Sequence, residues 1–179
     1  MDRDVLRMFL EAGYVERSTR YPTTKGTPQG SCISAVLCNM TLDGLERTLK
    51  ESVSVDVDFV RYADDFIVMA DDKAVLVQEV VPIVKKFLAE RGLELSAKKS
   101  SITNIHDGIT FLGWNIVKRH SQIVCTPTKR AVNSLLEKIT NIVKENGRST
   151  NEKSDRLKSV IRGWLNFYKS STPPSLAEI

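Results

Sequence analysis

Two short runs of aromatic and β-branched residues dominate the hydrophobic pattern of the chain, at residues 57–62 and 66–70. Such runs are typical of buried strands. Ala63, Asp64 and Asp65 stand between them and are few enough for a tight hairpin. The pattern therefore predicts a hairpin whose tip projects beyond the apolar layer and presents two adjacent carboxylates.

Apolar residues recur at helical spacing in several other segments. The spacing predicts helices over residues 5–12, from Ser31 through Leu49, and over residues 73–91, 129–145 and 154–168. The helix from Ser31 would carry its apolar residues, as far as Leu49, on one continuous face. Pro82 lies inside the third of these helices. A proline there removes a hydrogen bond, so we expect a kink near it or a later helix start. Asp71 and Asp72 precede that helix and are interpreted as its capping residues.

The remaining regular structure is expected in short strands. Residues 98–105 and 109–116 favour strands, and residues 122–125 favour a strand that pairs with the second as a hairpin. Gly113 has two interpretations of similar weight, a close approach of the backbone to a partner or a bulge in a core strand. We also expect a ribbon near residues 20–21, a turn at 106–108, a domain boundary at 126–128, a polar linker at 148–151 and a loose tail after 173–174.

The composition is that of an ordinary soluble globular protein. The 179 residues, 41% hydrophobic and 27% charged, suffice for one or two domains with a buried core. No apolar run approaches membrane-spanning length, so no membrane partner is expected, and the charged N-terminus does not resemble a signal peptide. Cys32, Cys38 and Cys125 form no CxxC pair. They favour free thiols in a reducing compartment, and so a cytoplasmic location, over disulfides or structural zinc.

Charge is distributed unevenly along the chain. Residues 1–90 contain 11 Lys or Arg and 15 Asp or Glu, whereas residues 91–179 contain 15 and 7, so the net charges are −4 and +8. The basic half is suited to lie along a polyanion such as a nucleic acid. A solvated basic surface without a partner explains the charge equally well.

The adjacent carboxylates at the predicted hairpin tip suggest a metal site. Two carboxylates repel each other and are costly to desolvate without a partner, and a divalent cation removes both problems. Oxygen ligands suit Mg²⁺, which is usually held by one or two carboxylates plus substrate phosphates. The alternative is a solvated turn, because Asp is common in turns for local hydrogen-bonding reasons.

A glycine- and proline-containing loop, residues 26–31, leads into the second predicted helix. Its backbone can approach another molecule closely, and free amides at a helix start can receive a phosphate. Taken alone this signal is weak, since most such loops are only connections. The spacing of the glycines matches neither a P-loop nor a dinucleotide-binding fingerprint.

The order of the motifs resembles the later sequence blocks of reverse transcriptases encoded by bacterial group II introns. The motifs are GTPQG at 26–30, Ile33, Ser34 and Asn39 in the next helix, YADD at 62–65, LEL at 93–95 with Lys99, and FLGW at 111–114. The closing IRGWLNFY at 161–168 is similar to the thumb, or maturase, region of the same proteins. The resemblance covers about residues 6–169.

This resemblance implies an α+β fold. Residues 1–126 would form a partial polymerase palm, an antiparallel sheet packed on helices, followed by thumb-like helices at 127–170 and a flexible tail at 171–179. It implies the addition of deoxynucleotides to a DNA primer on an RNA template with two Mg²⁺ ions, for which Mn²⁺ can substitute. It also implies intron RNA as a partner.

The resemblance further implies roles for particular residues. Asp64 and Asp65 would be catalytic metal ligands, Tyr62 would lie under the incoming nucleotide or the primer end, and Lys99 would lie close to the nucleic acid. Pro28, Gln29 and Gly30 would border the nucleotide and template, and Phe111, Leu112, Gly113 and Trp114 would support the primer.

The chain also departs from the family pattern. Ala35 stands where the family usually has proline, and Ser31 replaces a common glycine. The family's first catalytic aspartate lies in a strand well before the glycine-rich loop, and the acidic residues before Gly26 all lie on or beside the first helix. We therefore expect the C-terminal part of a polymerase, inactive alone and open to pairing with an N-terminal part or with itself.

Two other functions are alternatives to that of a polymerase. A non-catalytic RNA-binding or splicing protein of the maturase type, derived from the same fold, agrees with the missing carboxylate but gives no reason for Asp64 and Asp65. A nucleotide cyclase with a related palm is disfavoured by the glycine-rich loop and the FLGW segment.

Overall fold

The computed structural model describes residues 2–22, 26 and 33–172. Within these residues the chain is an α+β protein of helices and small antiparallel sheets, as predicted. It forms two compact units, Met1–Ile102 and Thr103–Ile179. The division into a palm at 1–126, helices at 127–170 and a tail at 171–179 stays a prediction. None of the helices in the described part of the chain combines the length and apolar character needed to cross a membrane.

The first unit contains two separate β-hairpins among helices, in which β1 pairs with β2 and β3 pairs with β4. The ribbon expected near Arg20 is confirmed as the first hairpin. The elements are α1 (Arg3–Glu11), β1 (Tyr14–Glu16), β2 (Thr19–Tyr21), α2 (Ser34–Thr41), α3 (Leu45–Ser52), β3 (Asp58–Tyr62), β4 (Asp65–Met69), α4 (Lys73–Val75), a π-helical turn (Leu76–Val80) and α5 (Val81–Ala89).

The helix predicted from Ser31 onwards is two helices, α2 and α3, so the prediction of one continuous apolar face was wrong. Gly44 interrupts it with a φ of +83°, a left-handed conformation that glycine adopts without steric cost. A turn at residues 42–44 therefore separates the two helices. Leu45 on α3 is completely buried, whereas Met40 on α2 is 56% exposed.

Pro82 disturbs its helix in the way that the sequence suggested. The π-helical turn directly precedes α5, and Pro82 stands in the first turn of α5. A wider turn accommodates a residue that lacks an amide hydrogen. Asp72 caps the start, since its side chain accepts a hydrogen bond from the amide of Ala74 at 2.8 Å, which confirms the interpretation of that residue. Gly92, with a φ of +70°, follows the helix end.

The apolar core of the first unit lies between α3 and α5. Phe59, Phe66 and Val68 of the second hairpin pack against it. Its buried members are Leu42, Leu45, Leu49, Val53, Val57, Val80, Val84, Phe87 and Leu88. The Glu79 carboxylate accepts hydrogen bonds from the amide and hydroxyl of Ser54, both at 2.7 Å, and these bonds lower the pKa of Glu79. The π-helical turn is thereby tied to the segment after α3.

The second unit consists of a three-stranded antiparallel sheet and two helices. The sheet order is β5-β6-β7, and the pairing of residues 122–125 with the preceding strand is confirmed. The elements are β5 (Ile109–Phe111), β6 (Trp114–Arg119), β7 (Gln122–Pro127), α6 (Lys129–Lys144) and α7 (Thr150–Phe167). The turn expected at 106–108 is present as a turn at 105–107.

The strand predicted at residues 98–105 was wrong. Residues 97–99 form a turn, in which the amides of Lys99 and Ser100 both donate to the carbonyl of Ser96, at 3.1 and 2.9 Å. Backbone bonding to a residue three or four positions back is incompatible with an extended ladder. Two of the β-branched residues that suggested a strand, Ile102 and Thr103, are exposed.

The strand predicted at residues 109–116 is two strands, β5 and β6, joined by a two-residue turn. Leu112 and Gly113 both have positive φ angles, +48° and +85°, as a tight hairpin turn of this type requires. Gly113 is therefore a turn residue and not a bulge. The close approach proposed for it is made by the same chain, because the hydroxyl of Tyr168 lies 2.7 Å from where a Cβ would be.

Helix α7 begins at Thr150, earlier than the predicted residue 154, and includes part of the expected linker. The cause is a capping box. The Ser149 hydroxyl accepts from the amide of Glu152 at 3.3 Å, and the Glu152 carboxylate accepts from the amide of Ser149 at 2.9 Å. The amide and the hydroxyl of Ser149 both donate to the Glu152 carboxylate, and these two hydrogen bonds lower the pKa of Glu152.

The C-terminal end of α7 packs on the β5–β6 turn through aromatic side chains. The ring of Tyr168 lies 4.8 Å from Trp114 and 4.5 Å from Trp164, between centroids. Its hydroxyl donates to the carbonyl of Gly113 at 3.2 Å, which also accepts the amide of Thr128 at 2.9 Å. The chain then passes β7, where the amide of Thr172 donates to the carbonyl of Cys125 at 2.9 Å.

We expect Gly113→Ala to destabilise the chain more than Gly147→Ala does. Both glycines have a φ near +85°, so both substitutions introduce backbone strain of about 1 kcal/mol. Only at Gly113 would the new Cβ meet another atom, since nothing lies within 4 Å at Gly147. Chemical denaturation measures both losses of unfolding free energy.

The double variant Gly113→Ala, Tyr168→Phe tests whether the contact with the Tyr168 hydroxyl causes the larger loss at Gly113. Measured against Tyr168→Phe alone, Gly113→Ala should cost less than it does in the wild-type chain, because the phenylalanine ring lacks the hydroxyl that the Cβ would meet. Equal losses at the two glycines would show that the contact with Tyr168 has no energetic weight.

Candidate active site

The β3–β4 hairpin presents the two adjacent carboxylates at its tip. Tyr62 pairs with Asp65 across the strands, and Ala63 and Asp64 form the two-residue turn. Asp65 is thus the first residue of β4, and the predicted hairpin is confirmed with a shorter turn. Both aspartates are exposed, and Tyr62 is 66% exposed.

The position of the tip follows from the packing of the strands. Alternate residues of β3 face the core, so Phe59 and Arg61 are half-buried while their neighbours are exposed. Phe59 stacks with Phe66 of β4 at 5.9 Å between ring centroids, and both pack against the apolar core. The apolar part of the hairpin is anchored, and the turn with Asp64 extends beyond it.

Arg61 connects the tip to α2. One guanidinium nitrogen, Nη1, donates to the side-chain oxygen of Asn39 at 2.8 Å and to the carbonyl of Ala63 at 3.0 Å. Ala63 has a φ of +54°, a conformation that costs an L-residue other than glycine about 1–2 kcal/mol. Arg61 therefore donates a hydrogen bond to the carbonyl of the strained residue itself.

The neighbouring thiol of Cys38 on α2 responds to the same charges. Burial raises its pKa, and the negative charge of Asp64 raises it further, while the positive charge of Arg61 opposes them. The carboxylate of Asp64 and the guanidinium of Arg61 therefore act on the same end of α2.

The donor set at the tip suits a hard divalent cation. Asp64 and Asp65 supply carboxylate oxygens, and a pair of carboxylates with substrate phosphates is a usual environment for Mg²⁺. Across residues 2–22, 26 and 33–172, no cluster of three or more His, Cys, Asp or Glu is placed to hold a metal. The residues present thus fit part of the coordination shell of one ion.

The remaining predicted site residues belong to segments outside this hairpin. Pro28, Gln29 and Gly30 fall outside the described residues. Lys99 is exposed in the turn at 97–99 of the first unit. Phe111 and Trp114 belong to the second unit, where they pair across β5 and β6, and Leu112 and Gly113 form the turn between them.

Sequence reasoning assigned no role to Arg61 or Asn39. A signal was available in the alternation of β3, which places Arg61 on the same face as Phe59. An arginine on an inward face requires acceptors for its N–H groups. The sequence did not show that Asn39, 22 residues earlier, supplies one of them.

Two family models match successive parts of the chain. Residues 2–116 match the family model of the reverse transcriptase (RNA-dependent DNA polymerase). Residues 132–178 match the model described as the group II intron, maturase-specific domain. The first match covers more than half of the chain and includes the hairpin with Asp64 and Asp65.

Individual relatives are distant. The chain is 25% identical to the "Putative COX1/OXI3 intron 2 protein" of Saccharomyces cerevisiae, over 63% of this chain and 20% of the relative. It is 25% identical to the "Uncharacterized 91 kDa protein in cob intron" of Schizosaccharomyces pombe, over 92% and 30%. It is 24% identical to "Protein YkfC" of Escherichia coli, over 63% and 38%. The chain therefore spans less than two-fifths of the length of these relatives.

Proposed function

The chain belongs to the reverse transcriptase (RNA-dependent DNA polymerase) family, and we propose that it contributes part of the palm and the first thumb helices to an enzyme that adds deoxynucleotides to a primer on an RNA template. In this proposal residues 1–126 belong to the palm and residues 127–170 to the thumb or maturase region. The observation that carries it is the exposed pair Asp64 and Asp65 at the hairpin tip.

The residues of the hairpin have distinct roles in this proposal. Asp64 and Asp65 hold Mg²⁺, or Mn²⁺ as a substitute. Bound divalent ions supply the activation of the primer hydroxyl and the stabilisation of the leaving pyrophosphate. The exposed ring of Tyr62 on the same hairpin lies under the incoming nucleotide or the primer end.

Other segments position the nucleic acid in this proposal. Pro28, Gln29 and Gly30 border the nucleotide and template, and Lys99 lies near the phosphates. The turn and strands at 111–114 support the primer. The basic half of the chain favours RNA and primer DNA as partners, and the names of the intron-encoded relatives favour intron RNA. A cytoplasmic location is part of the proposal, supported by cysteines without CxxC spacing.

A second function has specific support. The match of residues 132–178 to a maturase-specific domain favours a protein that binds intron RNA and assists splicing without polymerising. The two functions share RNA binding and differ in whether Asp64 and Asp65 hold a metal ion.

We expect weak binding of Mn²⁺ at the hairpin, because two carboxylates supply only part of a coordination shell. In a titration of the ¹⁵N-labelled chain, NMR line broadening should concentrate on residues 62–66. The variant Asp64→Asn, Asp65→Asn should abolish it. Asp71→Asn is the matched control, because it alters a second adjacent pair of aspartates, and should leave the broadening unchanged. Broadening that survives the double variant would rule out the site.

We expect the chain to bind RNA or an RNA–DNA hybrid with little sequence preference and strong dependence on salt, because phosphate neutralisation releases counterions. The candidate contacts are Lys98, Lys99, Lys118, Arg119, Lys129 and Arg130. Replacing any two of these lysines by glutamine should reduce the slope of log affinity against log salt by about 1–2. Lys50→Gln is the control, because this lysine is paired with Glu46. Affinity that does not change with salt would contradict the proposal.

We expect no appreciable primer extension by the 179-residue polypeptide alone, because two-metal catalysis needs ligands from a further strand. The assay is extension of oligo(dT) on poly(rA) with Mg²⁺. A family polymerase segment that contains a third carboxylate, supplied in trans, should restore activity by pairing with the β3–β4 sheet. That activity should disappear with Asp64→Ala. Robust extension by the polypeptide alone would show that it needs no further ligand.

A further inference from the structure

Arg61 makes hydrogen bonds that connect the hairpin turn to a separate helix. Its Nη1 lies 2.8 Å from the side-chain oxygen of Asn39 on α2 and 3.0 Å from the carbonyl oxygen of Ala63 in the turn. Asn39 and Arg61 are 22 residues apart in the chain. One guanidinium group therefore joins the turn that contains Asp64 to α2, which is not part of the hairpin.

The turn needs such support because its backbone is strained. Ala63 has a φ of +54°, in the region that favours glycine. A tight turn with this conformation at its first central residue is held in place only when surrounding contacts over-determine it. The register of β3 and β4 provides one such contact, the pair Tyr62 and Asp65, and Arg61 provides the other.

We propose that Arg61 and Asn39 are positioning residues that fix the Ala63–Asp64 turn, and with it the directions of the Asp64 and Asp65 carboxylates. This inference rests on the proposed metal-binding function of the two aspartates. Arg61 has no side-chain oxygen to offer an ion, and the side-chain oxygen of Asn39 accepts from Arg61. Their effect passes through the backbone of Ala63.

The chemistry of arginine explains why lysine should not replace it. A guanidinium presents several N–H groups in a rigid plane, whereas a lysine ammonium is a point charge on a flexible stem. Arg61→Lys retains the positive charge near Asp64 but loses the fixed geometry that joins two acceptors. A purely electrostatic role would survive this substitution, and a positioning role would not.

The first measurement is Mn²⁺ affinity at residues 62–66, followed by NMR line broadening in the full 179-residue chain. Arg61→Lys should weaken the affinity about tenfold, as the loss of an outer-shell partner of metal ligands does. Asn39→Ala should act in the same direction. Arg91→Lys is the matched control, since Arg91 also bonds a backbone carbonyl, that of Phe87 at 2.9 Å, and should have no effect.

The second measurement tests the route through the turn. Ala63→Gly adopts a positive φ without strain, so adding it to Arg61→Lys should restore most of the lost affinity. Amide hydrogen exchange at Tyr62 and Asp65 should be faster in Arg61→Lys than in the wild-type chain or in Arg91→Lys. Denaturant midpoints for every variant separate a local change from general unfolding.

The outcomes distinguish the two proposals. Wild-type broadening at 62–66 with unchanged affinity in Arg61→Lys would overturn the positioning role and leave the metal site intact. Weakened affinity that Ala63→Gly does not restore would overturn the route through the turn. If the wild-type chain shows no broadening at 62–66, the metal function fails, and exchange alone decides whether Arg61 holds the turn. Unchanged exchange in Arg61→Lys would then overturn its role.

Discussion

The packing of one face of the β3–β4 hairpin against α3 and α5 is the constraint on which the candidate active site depends. Phe59 and Phe66 stack on each other and insert into the apolar core, so the strands cannot rotate or slide without exposing aromatic surface. A shift of one residue in register would turn the whole inward face to solvent. The position of the hairpin tip that carries Asp64 and Asp65 therefore depends on hydrophobic packing several residues away.

In both units, a side chain donates a hydrogen bond to a carbonyl in a hairpin turn. The Ala63–Asp64 turn is held by Arg61, which is itself bonded to α2, and the Leu112–Gly113 turn is held by Tyr168 at the end of α7. In each case a residue with positive φ is fixed by a hydrogen bond to a turn carbonyl. The first turn presents carboxylates, whereas the second is the segment that the family resemblance assigns to the primer. Fixed turns suit both roles, because a functional turn must present its groups in one geometry.

The two candidate functions make different demands on these turns. In the proposed polymerase, the aspartates would have to be held in one geometry, because a small displacement of a catalytic group is costly. In the proposed RNA-binding protein, the basic half of the chain would make the contacts, and no fixed carboxylate geometry would be needed. Under our proposal, the Arg61 bridge serves the first of these demands.

Local sequence determined the elements whose causes lie within a few residues. The β3–β4 hairpin follows from two strand-forming runs around a short turn, the helix start at Asp72 from capping, and the distortion before Pro82 from a missing amide hydrogen. The exposed position of Asp64 and Asp65 at a hairpin tip was predicted for the same reason, because the hairpin is local. Motif order also sufficed for the family and the α+β class.

Tertiary structure decided what depends on distant residues. The hydroxyl of Tyr168 occupies the space beside Gly113 from 55 residues away, and Asn39 meets Arg61 across 22 residues. The strand expected at 98–105 has β-forming residues but no partner strand among the described residues, so its backbone bonds within a turn instead. Periodicity and propensity describe which face of a segment is apolar. They do not specify which other segment will cover it, and that pairing is settled only when the whole chain packs.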